Sequence, residues 1–488
     1  MDALFSDVFQ AVWTACLKRS RHDPPRIPAA ATWALTLLKK GAYGALPTDK
    51  DGGIVLVDKF LLRDRLLSTL GDRNFYTEVQ HGPSFLQEQV LDYVETCRSV
   101  ENSLKDMSLH RALTSECKEG NEARCLFTLQ CTIKSHKPFG SVKPRALHCM
   151  HPFSPFALGM RYVKNALVPH LQSLAHLAKD SRTFVSALST LTFTDSVQIA
   201  KLDVKEYYMS GSHGTLADFS SLFFTGEEQA RYRAMLKQIL SSQFLAMKGE
   251  SKYWKVCCGS GMGMICSGEV ASSALFHMCE KRLLTNSSLL HFHGVKAFYR
   301  FRDDVIIFFD GPHAKPTRFI QMLEARSGPF KLELESLSSE GATFLDVSVY
   351  KGAAFTSCRF SFRVHIKPTN QWSPLAMNSC HPAQVHKYWP KATARRFWLL
   401  FSVKQHAQEE IKRFEQKLLR SGSHVILDRL EPQPGHTIAS KANGNATCLV
   451  LPFSFQWLEA RIPATLAQLS ENGKRISQAQ IRFECPGD

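Results

Sequence analysis

Asp303 and Asp304 stand side by side in AFYRFRDDVIIFFDG (297–311), in the middle of an aromatic and aliphatic run. Two carboxylates ~4 Å apart repel by about 4 kcal/mol at the effective dielectric near a protein surface, so the fold must expose, separate or neutralise them. A solvated hairpin turn would expose the pair. A divalent cation would neutralise it: hard Mg²⁺ takes oxygen ligands and needs only one or two carboxylates, with substrate phosphates and water completing its shell. The cation reading requires a further aspartate on a neighbouring strand. Asp203 meets that requirement at the end of the apolar run VQIAKLDV (197–204). Asp203 and Asp303 could share two metal ions ~3.5–4 Å apart, the arrangement used for in-line phosphoryl transfer. That chemistry calls for oxygen ligands rather than His or Cys.

The elements that would position these residues follow from periodicity. Tyr299 and Phe301 alternate with Arg300 and Arg302, as in a half-buried strand, and 305–309 is a continuous apolar run, as in a fully buried one. The aspartates therefore fall at a strand junction. VQIAKLDV reads as a buried strand and 226–246 as an amphipathic helix through Leu236, Leu240 and Phe244. After GSGMG (259–263) a helix is expected to about 284, followed by the Asp-Asp strands, a helix over 317–325, and strands at 330–337, 343–350 and 354–366. Upstream, 1–120 is mostly helical in pattern, interrupted by LPTDKDGGIVLVDK (46–59). A β-like, Lys-rich stretch spans 124–148, and helical spacing runs through Val163, Leu167, Leu171 and Leu174, with a kink at Pro169. A final helix is expected over 394–420, ending with Gly422 at its C′ position, and 431–448 reads as a linker. Strands and helices mix without regular βαβ alternation, so the expected class is α+β.

The chain has 488 residues, 44% of them hydrophobic and 21% charged, enough for several domains with a large core. Sixty Lys and Arg against 44 Asp and Glu leave +16, which favours a polyanionic partner, nucleic acid or an anionic membrane surface. No uncharged apolar stretch is long enough to span a bilayer, and the N-terminus lacks the pattern of a signal peptide, so no membrane partner and an intracellular location are expected. The 14 cysteines show no C-x₂-C spacing and read as reduced core residues. Between positions 387 and 420, Lys or Arg occurs at 387, 391, 395, 396, 404, 412, 413, 417 and 420 against Glu at 409, 410 and 415. That face suits phosphate contacts or plain solvation.

LDVKEYY (202–208), GSGMG and YRFRDD (299–304) occur in the order and at the spacing of reverse transcriptase motifs A, B and C. The flanking segments resemble those of Penelope-like element reverse transcriptases. The segment 46–76 is similar to the family's DKG-type segment, IKSHKPFGSVKPRALH (133–148) to its PK-x-HK…RPI segment, TFLDVSVY (343–350) to its FLD-type strand, and 365–396 to its thumb entry. The resemblance spans about 46–430. It implies a right-hand polymerase, with an N-terminal extension over 1–120, fingers and a palm built on an antiparallel sheet over 121–352, a helical thumb over 353–425, and a linker with a short extension over 426–488. The implied activity is RNA-directed DNA synthesis from dNTPs on an RNA template and a DNA primer. Two Mg²⁺ ions serve it, Mn²⁺ being the substitute ion, and the location implied by the reaction is nuclear.

Carried over by position, the resemblance makes Asp203, Asp303 and Asp304 the metal-binding carboxylates. It places Tyr208 beneath the sugar of the incoming nucleotide, where its ring would clash with a 2′-OH. Lys134, Lys137 and Arg145 hold the triphosphate; Gly261, Met262 and Gly263, with Gly259, line the nucleotide and template. Lys331 stands where some polymerases keep a lysine that protonates pyrophosphate, and Lys367, His381, Lys387, Arg395 and Arg396 contact nucleic acid. Three departures stand out. Val256 lies near the place of the family's glutamine before the glycine loop, Gly268 replaces the proline after Ser267, and RAL (145–147) replaces RPI. The sequence ends without the GIY-YIG nuclease segment of many relatives, which implies either target cleavage from elsewhere or use of pre-existing DNA ends. A non-catalytic nucleic-acid-binding relative and a telomerase-type enzyme are the alternatives, the latter disfavoured by the short region ahead of the fingers.

Overall fold

The computed structural model describes residues 36–47, 54–79, 84–104, 111–115, 117, 122–133, 144–366, 374–375, 383–423, 427, 449–452 and 481–484. One compact unit lies within Leu17–Gln371 and carries fourteen strands among its described residues. They are β1 (Tyr43–Pro47), β2 (Ile54–Asp58), β3 (Tyr76–Val79), β4 (Phe127–Ile133), β5 (Pro144–Met150), β6 (Gln198–Lys205), β7 (Phe244–Ala246), β8 (Tyr253–Val256), β9 (Val295–Phe301), β10 (Asp304–Phe309), β11 (Lys331–Ser338), β12 (Gly341–Phe344), β13 (Val347–Tyr350) and β14 (Ser361–Val364).

The sheet that matters for the site has the order β11-β6-β10-β9, with every neighbour antiparallel. β6 is followed, after an excursion, by the helix Ser267–Leu275, then by the β9–β10 hairpin, the helix Pro316–Arg326 and β11. This is the split β-α-β-β-α-β arrangement. The excursion contributes the helices His213–Ser220 and Gly226–Ser241 and then β7 and β8, which enter a second sheet ordered β3-β8-β7-β4-β5.

Alternation explains β6: Ala200, Leu202 and Val204 are buried, while Lys201, Asp203 and Lys205 face the other way. After Asp304, β10 is apolar because 305–309 is covered on both faces. Phe309 meets Phe319 of the helix Pro316–Arg326 at 5.8 Å, and Phe308 meets Phe193 and Phe360 at 5.5 and 5.7 Å. The helix over 317–325 forms with Pro316 in its first turn, where the missing N–H costs nothing.

Four expectations need correction. The helix from 226 stops at Ser241, and Phe244 belongs to β7, paired with β8. The stretch 343–350 is no single strand: Leu345, at φ 56°, turns β12 into β13. The stretch 354–366 opens with the 3₁₀ turn Ala353–Ser357 before β14. The final helix is two helices, Ala383–Leu400 and Lys404–Arg420, in a second compact unit that begins at Trp372. The break between them lets Phe414 pack against Trp389 and Phe397 at 5.5 and 6.1 Å, with Ala407, Ile411 and Leu418 on the same buried stripe. Gly422 ends the second helix at φ 85°, as expected. The linker 431–448 lies outside the described residues.

Candidate active site

Strand register brings the aspartates together. Asp203 on β6 lies directly opposite Asp304 on β10 and, on its other side, opposite Glu333 on β11. Residues paired in this way share one face of a sheet, with Cβ atoms ~4.5–5.5 Å apart. Asp303 sits one residue earlier in a two-residue turn whose first member, Arg302, has φ 56°. The Asp303 carbonyl accepts from the Val204 N–H at 2.9 Å, tying the turn to the strand end that carries Asp203. Lys331 stands opposite Lys205, exposed, one alternate position from Glu333.

Two lysines answer the negative charge. Lys205 Nζ donates to Asp203 Oδ2 at 3.0 Å and pairs with Glu333. Lys201 Nζ lies 2.8 Å from Glu335 and 3.7 Å from Asp304. The Asp304 carboxyl is nevertheless raised above its ordinary value, by burial first and then, against the pull of Lys201, by Asp303, Glu335 and Asp203. Among the described residues no three His, Cys, Asp or Glu side chains form a cluster able to hold a metal ion. The aspartates fit Mg²⁺ as a partial site, since that ion takes one or two carboxylates and completes its shell with phosphate and water.

Tyr208, on the 3₁₀ turn Tyr207–Met209 after β6, belongs to the same neighbourhood. Burial raises its hydroxyl pKa, and Arg302, Asp303, Glu269 and Arg145 all act on it electrostatically. The glycine loop packs directly beneath. Ser260 N–H donates to the Tyr208 carbonyl at 2.7 Å, and a side chain at Gly259 (φ 75°) would collide with the Tyr208–Met209 backbone. A side chain at Gly261 (φ 52°) would collide with the His148 ring and come within 2.7 Å of Gln243 Oε1. Met262 and Gly263 form the outer part of the loop, where the Met262 carbonyl accepts from the His148 N–H at 2.7 Å.

The structure thus gathers Asp203, Asp303, Asp304, Lys331, Tyr208, Arg145 and the glycine loop in one unit. Lys134, Lys137, Lys367 and His381 lie outside the described residues. Lys387, Arg395 and Arg396 are exposed on the helix Ala383–Leu400 of the second unit.

Several residues of the site were missed from sequence. Gln243 lies against the glycine loop: its Nε2 donates to the carbonyls of Gly259 (3.2 Å) and Leu240 (2.9 Å), and its backbone carbonyl accepts from the Val256 N–H. His148, buried under the loop, is held by the Tyr76 hydroxyl at 3.2 Å, and burial pushes its pKa down to about 4. Gly268 is explained by Arg302, whose guanidinium lies where a proline ring would begin and pairs with Glu269 at 3.0 Å. Arg300, expected on the polar side of its strand, points inward and is fully buried against Glu280. Lys201, Lys205 and Glu333 were within reach of the period-two pattern; Gln243, His148 and Glu280 had no local signal.

No family model matches the chain, and none of the curated proteins does. Solved structures to which it is similar include telomerase of Candida albicans in complex with a fragment of telomeric RNA, at 11% identity and TM-score 0.48, covering 80% of this chain and 65% of that one. Another is apo telomerase of Candida tropicalis truncated at its C-terminal domain, at 10% identity and TM-score 0.43, covering 66% and 65%. A third is the RNA-dependent RNA polymerase of a human picobirnavirus, at 13% identity and TM-score 0.41, covering 63% and 61%. The chain spans less than two thirds of each of these. All three TM-scores lie below 0.5. The α+β class with an antiparallel central sheet is as expected.

Proposed function

We propose that the chain is a right-hand nucleic-acid polymerase, and more narrowly an RNA-directed DNA polymerase of the Penelope-like type. The observation that carries this is the register pair Asp203–Asp304 at the end of a split β-α-β-β-α-β sheet, with Asp303 at the adjoining turn and Tyr208 in the same electrostatic field. Asp203, Asp303 and Asp304 would hold two Mg²⁺ ions, which when bound activate the attacking hydroxyl and stabilise the leaving pyrophosphate. Arg145, which acts electrostatically on Tyr208, would meet the phosphate oxygens with its guanidinium, and Lys331 shares the face of Asp203. The Tyr208 ring would exclude a 2′-OH, the group that separates RNA from DNA precursors. The net charge of +16 and the exposed Lys387, Arg395 and Arg396 suit a nucleic-acid partner.

A second reading is a relative that binds nucleic acid without polymerising. It is favoured by Lys201 and Lys205, which already pair with the carboxylates a metal would need. Primer extension by the purified chain on matched RNA and DNA templates separates the two, with Mg²⁺ or EDTA, dNTPs or rNTPs, and Asp303→Ala as control. Metal-dependent dNTP incorporation on RNA, absent in Asp303→Ala, is the expected result, and Tyr208→Ala should then admit rNTPs at least about tenfold better, a change of ~1.4 kcal/mol. Tight, salt-sensitive binding with no incorporation would establish the non-catalytic reading instead.

A further inference from the structure

Arg300 is the largest fully buried side chain among the described residues, with no exposed surface, and Glu280 opposite it is 2% exposed. Burying an ion pair is weak support for stability, because an apolar pair of the same volume often serves as well. The contacts of this one point to a different role. Arg300 Nε and Nη2 donate to the two Glu280 oxygens at 2.5 and 2.9 Å. The rest of the fork reaches outward: Nη1 donates to the Arg302 carbonyl at 3.1 Å and lies 3.4 Å from the Tyr207 hydroxyl and from Ser272 Oγ, while Nη2 donates to the Ser272 carbonyl at 3.2 Å. The Arg302 carbonyl belongs to the peptide that leads into Asp303. Tyr207 immediately precedes Tyr208, and its hydroxyl is also 2.7 Å from Ser272 Oγ.

Glu280 is delivered by an irregularity. It ends the single π turn Phe276–Glu280 inserted between the helical segments Ser267–Leu275 and Lys281–Leu284. Such turns are rare and are frequent at functional sites. Its second oxygen also meets His176 Nε2 at 3.0 Å, and the backbone of Arg300 exchanges bonds with the carbonyl of His176 and the N–H of Ala178, both 2.9 Å. One planar group thereby joins the aspartate turn, the tyrosine turn and the helix behind Gly268. A lysine could match the charge but not the fork.

We propose that Arg300 and Glu280 are positioning residues, which fix the Arg302–Asp303 turn and the Tyr207–Tyr208 turn relative to Asp203 from beneath the sheet. The inference rests on the polymerase reading for its kinetic consequence and on geometry alone for its structural one. Two variants of the full chain test it: the volume-matched apolar pair Arg300→Met with Glu280→Leu, and Arg300→Lys, which keeps the ion pair. Amide hydrogen exchange, without metal or nucleotide, reads the Val204 N–H, which is bonded to the Asp303 carbonyl, and the amides of 301–304. In the apolar pair these amides should exchange faster by about tenfold or more while the rest of the sheet keeps its protection. On an RNA template kcat should fall roughly 10²-fold with KM for dNTP little changed, the signature of a reacting group displaced by about 1 Å. Arg300→Lys should fall between this variant and wild type. If the apolar pair does not fold, Arg300→Lys decides by the same two readouts. A folded variant with unaltered exchange at Val204 and the turn overturns the proposal, as does an unaltered kcat. A wild-type chain that incorporates nothing overturns the polymerase reading, while the exchange result still decides the positioning role.

Discussion

At Asp304, burial and the carboxylates of Asp303, Glu335 and Asp203 raise the carboxyl pKa against the pull of Lys201. Surplus negative charge of this kind works against the folded state and favours any cation that can enter. Lys201 and Lys205 are the cations the chain supplies itself. Replacing Asp203 by Asn removes one repulsive neighbour of Asp304 and also one ion pair with Lys205, whose side chain is 45% exposed. The two effects oppose each other, and exposed pairs are worth about 0–1 kcal/mol. Asp203→Asn should therefore unfold within ~1 kcal/mol of wild type in urea, while metal-dependent incorporation drops to background. Urea titration and primer extension on one preparation check both halves. A loss of several kcal/mol would make Asp203 a structural residue rather than a reactive one.

The glycine loop works as an element because it has no side chains where it crosses Tyr208, Met209 and His148. Gly261→Ala places a Cβ against the His148 ring and Gln243 at φ 52°, so a left-handed cost of ~1–2 kcal/mol adds to an overpacking cost of ~1–3 kcal/mol. Gly249→Ala is the matched control, since Gly249 also has positive φ (87°) but open space around it. Thermal melting should show Gly261→Ala less stable than Gly249→Ala by roughly 1–3 kcal/mol; equal losses would mean that the loop moves aside at little cost. The loop and the strand-end aspartates were legible in the sequence because residue type and period two carry them, whereas the lysines flanking Asp203 were missed although the same period reaches them. The inner face of β9 was not. Arg300 alternates with Tyr299 and Phe301 as a solvated residue would, and only Glu280, turned by a π turn outside the 3.6-residue period, makes the interior its place. Gln243 was hidden similarly, since the pairing of β7 with β8 brings it beside a loop sixteen positions later in the chain.

Among the described residues, burial lowers the pKa of four histidines, His293 and three others whose shift is large. His148, His213 and His277 all have pKa values lowered from 6.5 to about 4, burial being the first cause in each; Lys255 adds to the effect at His213, and Lys281 and His170 add to it at His277. Between those two pH values the unfolded chain binds protons that the folded chain refuses, so stability is fully present above pH 6.5 and is lost as pH falls toward 4. Glu280, held down at about 2 by Arg300 and His176 although burial alone would raise it, adds loss of the same sign only below about 4.5. A chain already at +16 also gains self-repulsion as it acidifies. His277 isolates the histidine contribution. It packs edge-on to Phe223 and Phe276, at 4.4 and 4.9 Å between ring centres, and its buried Nε2 has no hydrogen-bond partner. His277→Phe keeps the ring packing and removes both the titration and the unmet polar atom. At pH 7 the variant should equal or exceed wild type in urea, and its advantage should grow toward pH 5 by up to about 1.4 kcal/mol per pH unit. Unfolding at constant ionic strength across that range reads the difference directly. Parallel curves would mean that His277 does not titrate with folding, and convergence toward acid would give its pKa shift the opposite sign.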